Sequence, residues 1–162
     1  LSERGIGQAE ALAVRLVLPA ARCPHTVVSS PLARARETAA PLAGRLDQPV
    51  RVDARVGEIV SPDGAAATRT AWLRDVLARR WPELSAELRG WRRGVLDALA
   101  EIGDAVVTTH FVAINVAVGE ATGDDRVRCC APAHTSVTEL SVDDGRLTLV
   151  RLGAELPAAS VR

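Results

Sequence analysis

"SSPLARARETAAPL", residues 29–42, joins the end of an extended segment to the start of a helical one. It ends a short apolar run, "HTVVSS" (25–30), whose adjacent Val27 and Val28 favour a strand. Beyond it, Leu32, Ala35, Ala39, Leu42 and Leu46 recur at helical spacing. Ser30 followed by Pro31 predicts an N-cap and first helical residue. Pro41 predicts a break or kink after about Ala40. A strand running directly into a helix is the building unit of α/β domains. Arg34 is the anomaly, because a helix N-terminus favours anions over cations. A guanidinium fits there if it and the free amides of the helix start converge on one bound anion. An ordinary solvent-facing arginine is the competing reading, and Arg36, two positions round the helix, is the weaker of the pair.

The same unit recurs downstream. "AVVTTH" (105–110) reads as a buried strand, with His110 at its C-terminal end, and "FVAINVAVG" continues as a helix closing at Gly119. "GEATGD" (119–124) reads as the C-cap and turn of that helix. Ser2 is predicted to cap an opening helix that carries Ala9, Leu12, Ala13 and Leu16 on one face and stops at Pro19. An extended piece spans 50–56, and Pro62 and Gly64 lie in a loop. Helical patterns follow from Trp72 to Arg80, stopping near Trp81–Pro82, and through Leu88, Trp91, Val95, Leu99 and Ile102. The three tryptophans fall on these stripes and read as core. Val137–Val142, "DDGR" and Leu147–Leu152 predict a hairpin.

Strands alternating with helices imply a three-layer α/β/α sandwich around a mostly parallel central sheet, in a single domain over 1–162. Ligands in such sheets bind beyond the carboxyl ends of the strands. If the two strands are neighbours, Arg34 and His110 share that end, and Glu58 stands in the loop after the intervening extended segment.

Composition narrows the function. Lys plus Arg equals Asp plus Glu at 20 each, for zero formal net charge, so no global field recruits nucleic acid or an anionic membrane. No apolar run is long enough to span a bilayer, and no targeting peptide is legible. Three cysteines, Cys23, Cys129 and Cys130, fit a reduced, cytoplasmic compartment better than a disulfide scaffold. Cys129, Cys130 and His134 lack the spacing of a zinc site. His25, at the N-terminal end of its strand, reads as surface. No Walker A, G-x-G-x-x-G or G-x-S-x-G pattern occurs. Taken singly, His110 could equally be a structural histidine and Glu58 an ordinary loop carboxylate.

Together these segments resemble the histidine phosphatase superfamily, in its phosphoglycerate mutase-like branch. "LSERGIGQAEALA" (1–13) is similar to that family's L-T-x-x-G-x-x-Q-A stretch, and "SSPLARARETA" to its S-S-P-L-x-R-A-x-x-T-A motif. "VGEI" resembles its L-x-E-I segment, and "AVVTTHF" the strand that ends in its second histidine. The resemblance covers essentially the whole chain. It implies a phosphoglycerate mutase-like fold and a phosphomonoester hydrolase passing through a phosphohistidine, with a small phosphorylated metabolite as substrate and no metal or organic cofactor. Arg34 and His110 would bind the phosphoryl group, and Glu58 would stand where the proton donor stands. The family's nucleophilic histidine lies in an R-H-G motif, which residues 1–162 do not contain. The expectation is that this motif and its strand precede Leu1. The family's glycine after the second histidine is Phe111 here. A catalytically inactive phosphate-binding or interaction module and a mutase remain alternatives. An exposed sheet edge or the hairpin could support a homodimer.

Overall fold

The computed structural model describes residues 1–17, 26–61 and 66–157, without the side chains of 66–68. The helix stop at Pro19, the residues Cys23 and His25, and the loop at Pro62–Gly64 lie outside the described residues.

Among the described residues, five α-helices and five strands follow in the order α1 (Glu3–Val17), β1 (Val27–Ser29), α2 (Ala33–Arg45), β2 (Val50–Val52), α3 (Ala66–Leu77), α4 (Ala86–Ile102), β3 (Val106–Thr108), α5 (Phe111–Thr122), β4 (Glu139–Asp143) and β5 (Arg146–Arg151). The three short apolar strands pair in parallel in the order β2-β1-β3, with Ser29 opposite both Val52 and Thr108. β4 and β5 form a separate antiparallel hairpin. Its turn residues Asp144 and Gly145 have φ of 46° and 76°, the paired positive values that match strand twist.

The side chains of β1 sort the layers, since successive residues of a strand point to opposite faces. Val27 packs with Ala13 of α1 and with Ala39, Leu42 and Ala43 of α2. Val28 packs on the other face with Val56 and with Ala98 and Ile102 of α4. The expected layering of helices, parallel sheet and helices is therefore the fold observed. A further apolar cluster joins Val76, Trp81, Val95, Val112 and Val116 across α3, α4 and α5. Trp81 stacks on Trp91 with ring centroids 6.2 Å apart, so these rings are core, as their helical spacing predicts.

Several local expectations change. Ser2 does cap α1, accepting from the Gly5 amide at 3.2 Å. Ser30 does not cap α2, whose N-cap position is Leu32 with no side-chain hydrogen bond. Helix α2 runs through Pro41 to Arg45. One proline deletes one donor, while Ala39, Leu42 and Ala43 hold the surrounding turns in the core. The extended piece at 50–56 divides into β2 and a 3₁₀ turn at Ala54–Val56, capped by Asp53. Helix α3 starts at Ala66 rather than near Trp72. Helix α5 continues past Gly119 to Thr122 and ends at Gly123, in the left-handed region at φ 71°. Gly119 is instead a close-approach position, since a Cβ there would meet the Asp124 carbonyl oxygen at 2.7 Å.

Candidate active site

The three parallel strands end together. The Ser30 amide donates to the Thr108 carbonyl and the Asp53 amide to the Ser29 carbonyl, each at 3.0 Å. The strands being neighbours, the α2 start and the β3–α5 junction share one end of the sheet, as the sequence pattern requires. The third junction closes through Thr109, whose hydroxyl donates to the Val56 carbonyl at 2.7 Å. Gly57 lets the 3₁₀ turn close, because a Cβ there would stand 2.9 Å from the Ala54 carbonyl oxygen. Glu58 follows directly.

His110 occupies the N-cap position of α5, with extended backbone angles, and only 5% of its surface is exposed. Its Nε2 lies 2.6 Å from Ser30 Oγ, which also accepts the Leu32 amide at 3.2 Å. The hydroxyl expected to cap α2 thus holds the imidazole across two neighbouring strands. Burial, together with the guanidinium fields of Arg34 and Arg69, pushes the imidazole down to about 4. It is neutral at neutral pH.

Glu58 is half-buried, and that burial raises its carboxyl above the usual carboxylate range. The Ile59 and Val112 amides and the Arg34 and Arg69 guanidiniums work in the opposite direction. The Ile59 amide donates to Oε1 at 3.1 Å. Val112 is the second residue of α5, so a carboxylate from another segment acts on the N-terminus that His110's side chain leaves uncapped. Arg34, second residue of α2, is exposed and acts on both Glu58 and His110. The structure brings Arg34, Glu58 and His110 to one place. Phe111 is half-buried and packs against the cluster shared by α3, α4 and α5.

Two participants lie outside the site the sequence predicts. Ser30 reads as a cap, although its hydroxyl meets His110. Arg69 stands in a segment that reads as loop. It is half-buried in the first turns of α3, with Nη2 3.5 Å from the Ile59 carbonyl oxygen. The signal that flagged Arg34, an arginine at a helix start, also applies to it.

Among the described residues, no group of three His, Cys, Asp or Glu is placed to hold a metal. Asp124 pairs with Arg126, and the Cys129 and Cys130 amides both donate to Asn115 Oδ1 at 2.8 Å. Both thiols are free, and burial pushes that of Cys130 up to about 12. A cleft of about 460 Å³ lined by Leu96, Asp97, Glu120, Gly123 and Arg146 lies at the far end of α5, about 18 Å along the helix from His110. None of the residues gathered at the strand ends lines it.

A parallel α/β domain that gathers a helix-start arginine, a buried imidazole and a half-buried carboxyl at its strand ends is equipped to bind anions and hold protons. The sequence matches the Histidine phosphatase superfamily (branch 1) over residues 1–155, and the chain belongs to that superfamily. Among solved structures, YhfR of Bacillus stearothermophilus is 23% identical, over 93% of this chain and 82% of that one, with a TM-score of 0.74. The phosphoserine phosphatase of Entamoeba histolytica in complex with 3-phosphoglyceric acid is 18% identical, over 95% and 84%, with a TM-score of 0.73. Both likenesses speak to the fold. A mycobacterial glucosyl-3-phosphoglycerate phosphatase complexed with VO3 is 26% identical, over 96% and 87%, with a TM-score of 0.66. No curated protein matches. Among the described residues, no helix is long and apolar enough to cross a membrane.

Proposed function

We propose that the chain is a phosphomonoester hydrolase acting on a small phosphorylated metabolite through a phosphohistidine, with the attacking imidazole supplied from a segment N-terminal to Leu1. The observation that carries this reading is the convergence of Arg34, Glu58 and His110 at the sheet's carboxyl end, in a chain of this superfamily.

Arg34 stabilises negative charge on the equatorial phosphoryl oxygens. His110, held by Ser30, contacts the same group. The attacking nitrogen forms a bond to phosphorus as the ester oxygen leaves, and Glu58 gives that oxygen its proton. A raised carboxyl suits a donor that must hold its proton before the step. The Glu58 carboxylate then takes a proton from water as the water oxygen attacks the phosphohistidine, releasing phosphate and restoring both residues.

Turnover of p-nitrophenyl phosphate by the full-length protein, with acid-quenched detection of phosphohistidine, tests the reading. Arg34→Ala and His110→Ala are each expected to lower kcat by about 10²–10³. Rates unchanged in both variants overturn the assignment. Transfer of the phosphoryl group to a second hydroxyl instead of water would mark a mutase. Phosphate binding without turnover would mark a binding module.

A further inference from the structure

Glu58 and His110 come from segments that the sheet does not join to each other. Strands β2 and β3 lie on opposite sides of β1, so no ladder hydrogen bond ties the exit of one to the exit of the other. Thr109 spans that gap. Its side chain is half-buried, and its hydroxyl donates to the Val56 carbonyl at 2.7 Å. Thr109 immediately precedes His110, and Val56 stands two residues before Glu58.

The two ends of this bond are not held equally. On the β3 side, the Thr108 hydroxyl donates to the Val28 carbonyl at 3.3 Å, and the Thr108 carbonyl accepts the Ser30 amide at 3.0 Å. His110 is tied to Ser30 as well. On the other side, a single 3₁₀ turn runs into Gly57. The Val56 side chain packs against Val28, Ala98 and Ile102, but apolar contacts do not set how the peptide beyond it is turned. A peptide unit is planar, so a hydrogen bond to its carbonyl orients the whole unit. The next soft dihedrals belong to Gly57, the residue type with the freest backbone. Glu58 acts with the Val112 amide of α5, and its reach to that helix depends on this peptide.

We propose that Thr109 is a positioning residue: its hydroxyl fixes the Val56–Gly57 peptide so that the Glu58 carboxyl stands at the α5 start, beside His110. The kinetic part of this inference rests on the phosphatase reading, because it takes Glu58 as the proton donor.

Thr109→Val keeps the branched shape and removes the donor, whereas Thr109→Ser keeps the donor. In the full-length protein, kcat/KM is compared for glycerol 3-phosphate, whose alkoxide needs a proton, and p-nitrophenyl phosphate, whose phenolate does not. This ratio covers the steps up to release of the alcohol, so hydrolysis of the intermediate does not enter. Thr109→Val is expected to lower it about 10- to 100-fold for glycerol 3-phosphate and less than about three-fold for p-nitrophenyl phosphate. Thr109→Ser should stay within about three-fold of wild type on both. Equal losses on the two substrates, or none, overturn the proposal. Glu58→Gln is the reference: discrimination there but not in Thr109→Val overturns the proposal and leaves the phosphatase reading standing. Carbon-13 titration of the Glu58 carboxyl gives a readout that needs no turnover. The Val112 amide works to lower that carboxyl, so it should titrate at higher pH in Thr109→Val and as wild type in Thr109→Ser. In a protein without turnover, that change upholds the role of Thr109 while the phosphatase reading fails; an unmoved titration overturns it. Circular dichroism establishes that each variant is folded, and Thr109→Ala carries the same comparisons where the valine variant is not.

Discussion

Neutral, buried and hydrogen-bonded, His110 has a protonation state that differs between the folded and unfolded chain. It titrates at about 4 in the fold and near 6.5 when exposed. Between those values the unfolded chain binds a proton that the folded chain rejects. Its contribution to stability is therefore full above about pH 6.5 and is lost as pH falls towards 4. The gap corresponds to at most about 3 kcal/mol. Urea unfolding at pH 7.5 and pH 4.5 should show an acid loss about 2–3 kcal/mol smaller in His110→Asn than in wild type; parallel losses would remove His110 from the account. Glu58 makes a different prediction. Replacement by Gln should slow alkyl phosphates by a larger factor than p-nitrophenyl phosphate, whose phenolate needs no proton, and equal factors would argue for a structural role. At this scale the sequence was legible where a residue broke a local rule, as Arg34 did against the helix dipole. Ser30 stands in a context that breaks no local rule, although it does not cap α2. A Ser-Pro pair reads as a cap whatever its hydroxyl meets across the sheet, so its bond to His110 was hidden.

Elements announced themselves wherever local chemistry and packing agreed. The Ser2 cap, the Asp-Gly turn of the hairpin and the strand-to-helix junctions over Ser29–Arg34 and Thr108–His110 all appear where their spacing places them. Boundaries moved where tertiary contacts overrode local preference. Pro41 sits inside α2 because the core holds that helix on both sides. Pro41→Ala should therefore restore a helix hydrogen bond and stabilise the protein by about 1–3 kcal/mol, read as a higher denaturation midpoint. Gly119 looked like a helix end, but the glycine there serves the approach of the Asp124 carbonyl. That approach brings the 124–130 loop over α5, where Asn115, fully buried, accepts two consecutive amides on one oxygen. No spacing rule in the sequence points to such a partner. Asn115→Leu strands both amides and should cost about 3–5 kcal/mol by denaturant titration. A loss below about 1 kcal/mol would mean that water replaces the carboxamide.

Over the whole molecule, positive and negative charges balance, so attraction for an anion has to come from local placement. That placement draws on four separate segments. Arg34 comes from the start of α2, Glu58 from the loop after β2, Arg69 from α3 and His110 from the start of α5. The segments are anchored in different apolar clusters on the two faces of the sheet. An anion bound between them exists only when all are assembled, so its binding energy adds to global stability. Sulfate is a suitable probe because it stays a dianion from pH 8 to pH 5, whereas phosphate itself titrates. At a hundred times its Kd, sulfate should add about 2.7 kcal/mol, or about 5–10 °C in Tm for a domain of this size. Arg34→Ala should abolish most of that gain. Burial, and then the same cations that attract the anion, hold His110 neutral. A bound dianion offsets their field and raises the imidazole's affinity for a proton. In the window between the free value of about 4 and the higher bound value, binding therefore takes up a proton and tightens as pH falls. The sulfate-induced rise in Tm should be larger at pH 5.5 than at pH 7.5 in wild type and independent of pH in His110→Asn. A pH-dependent rise that survives in the variant would place the responding proton on Glu58 instead.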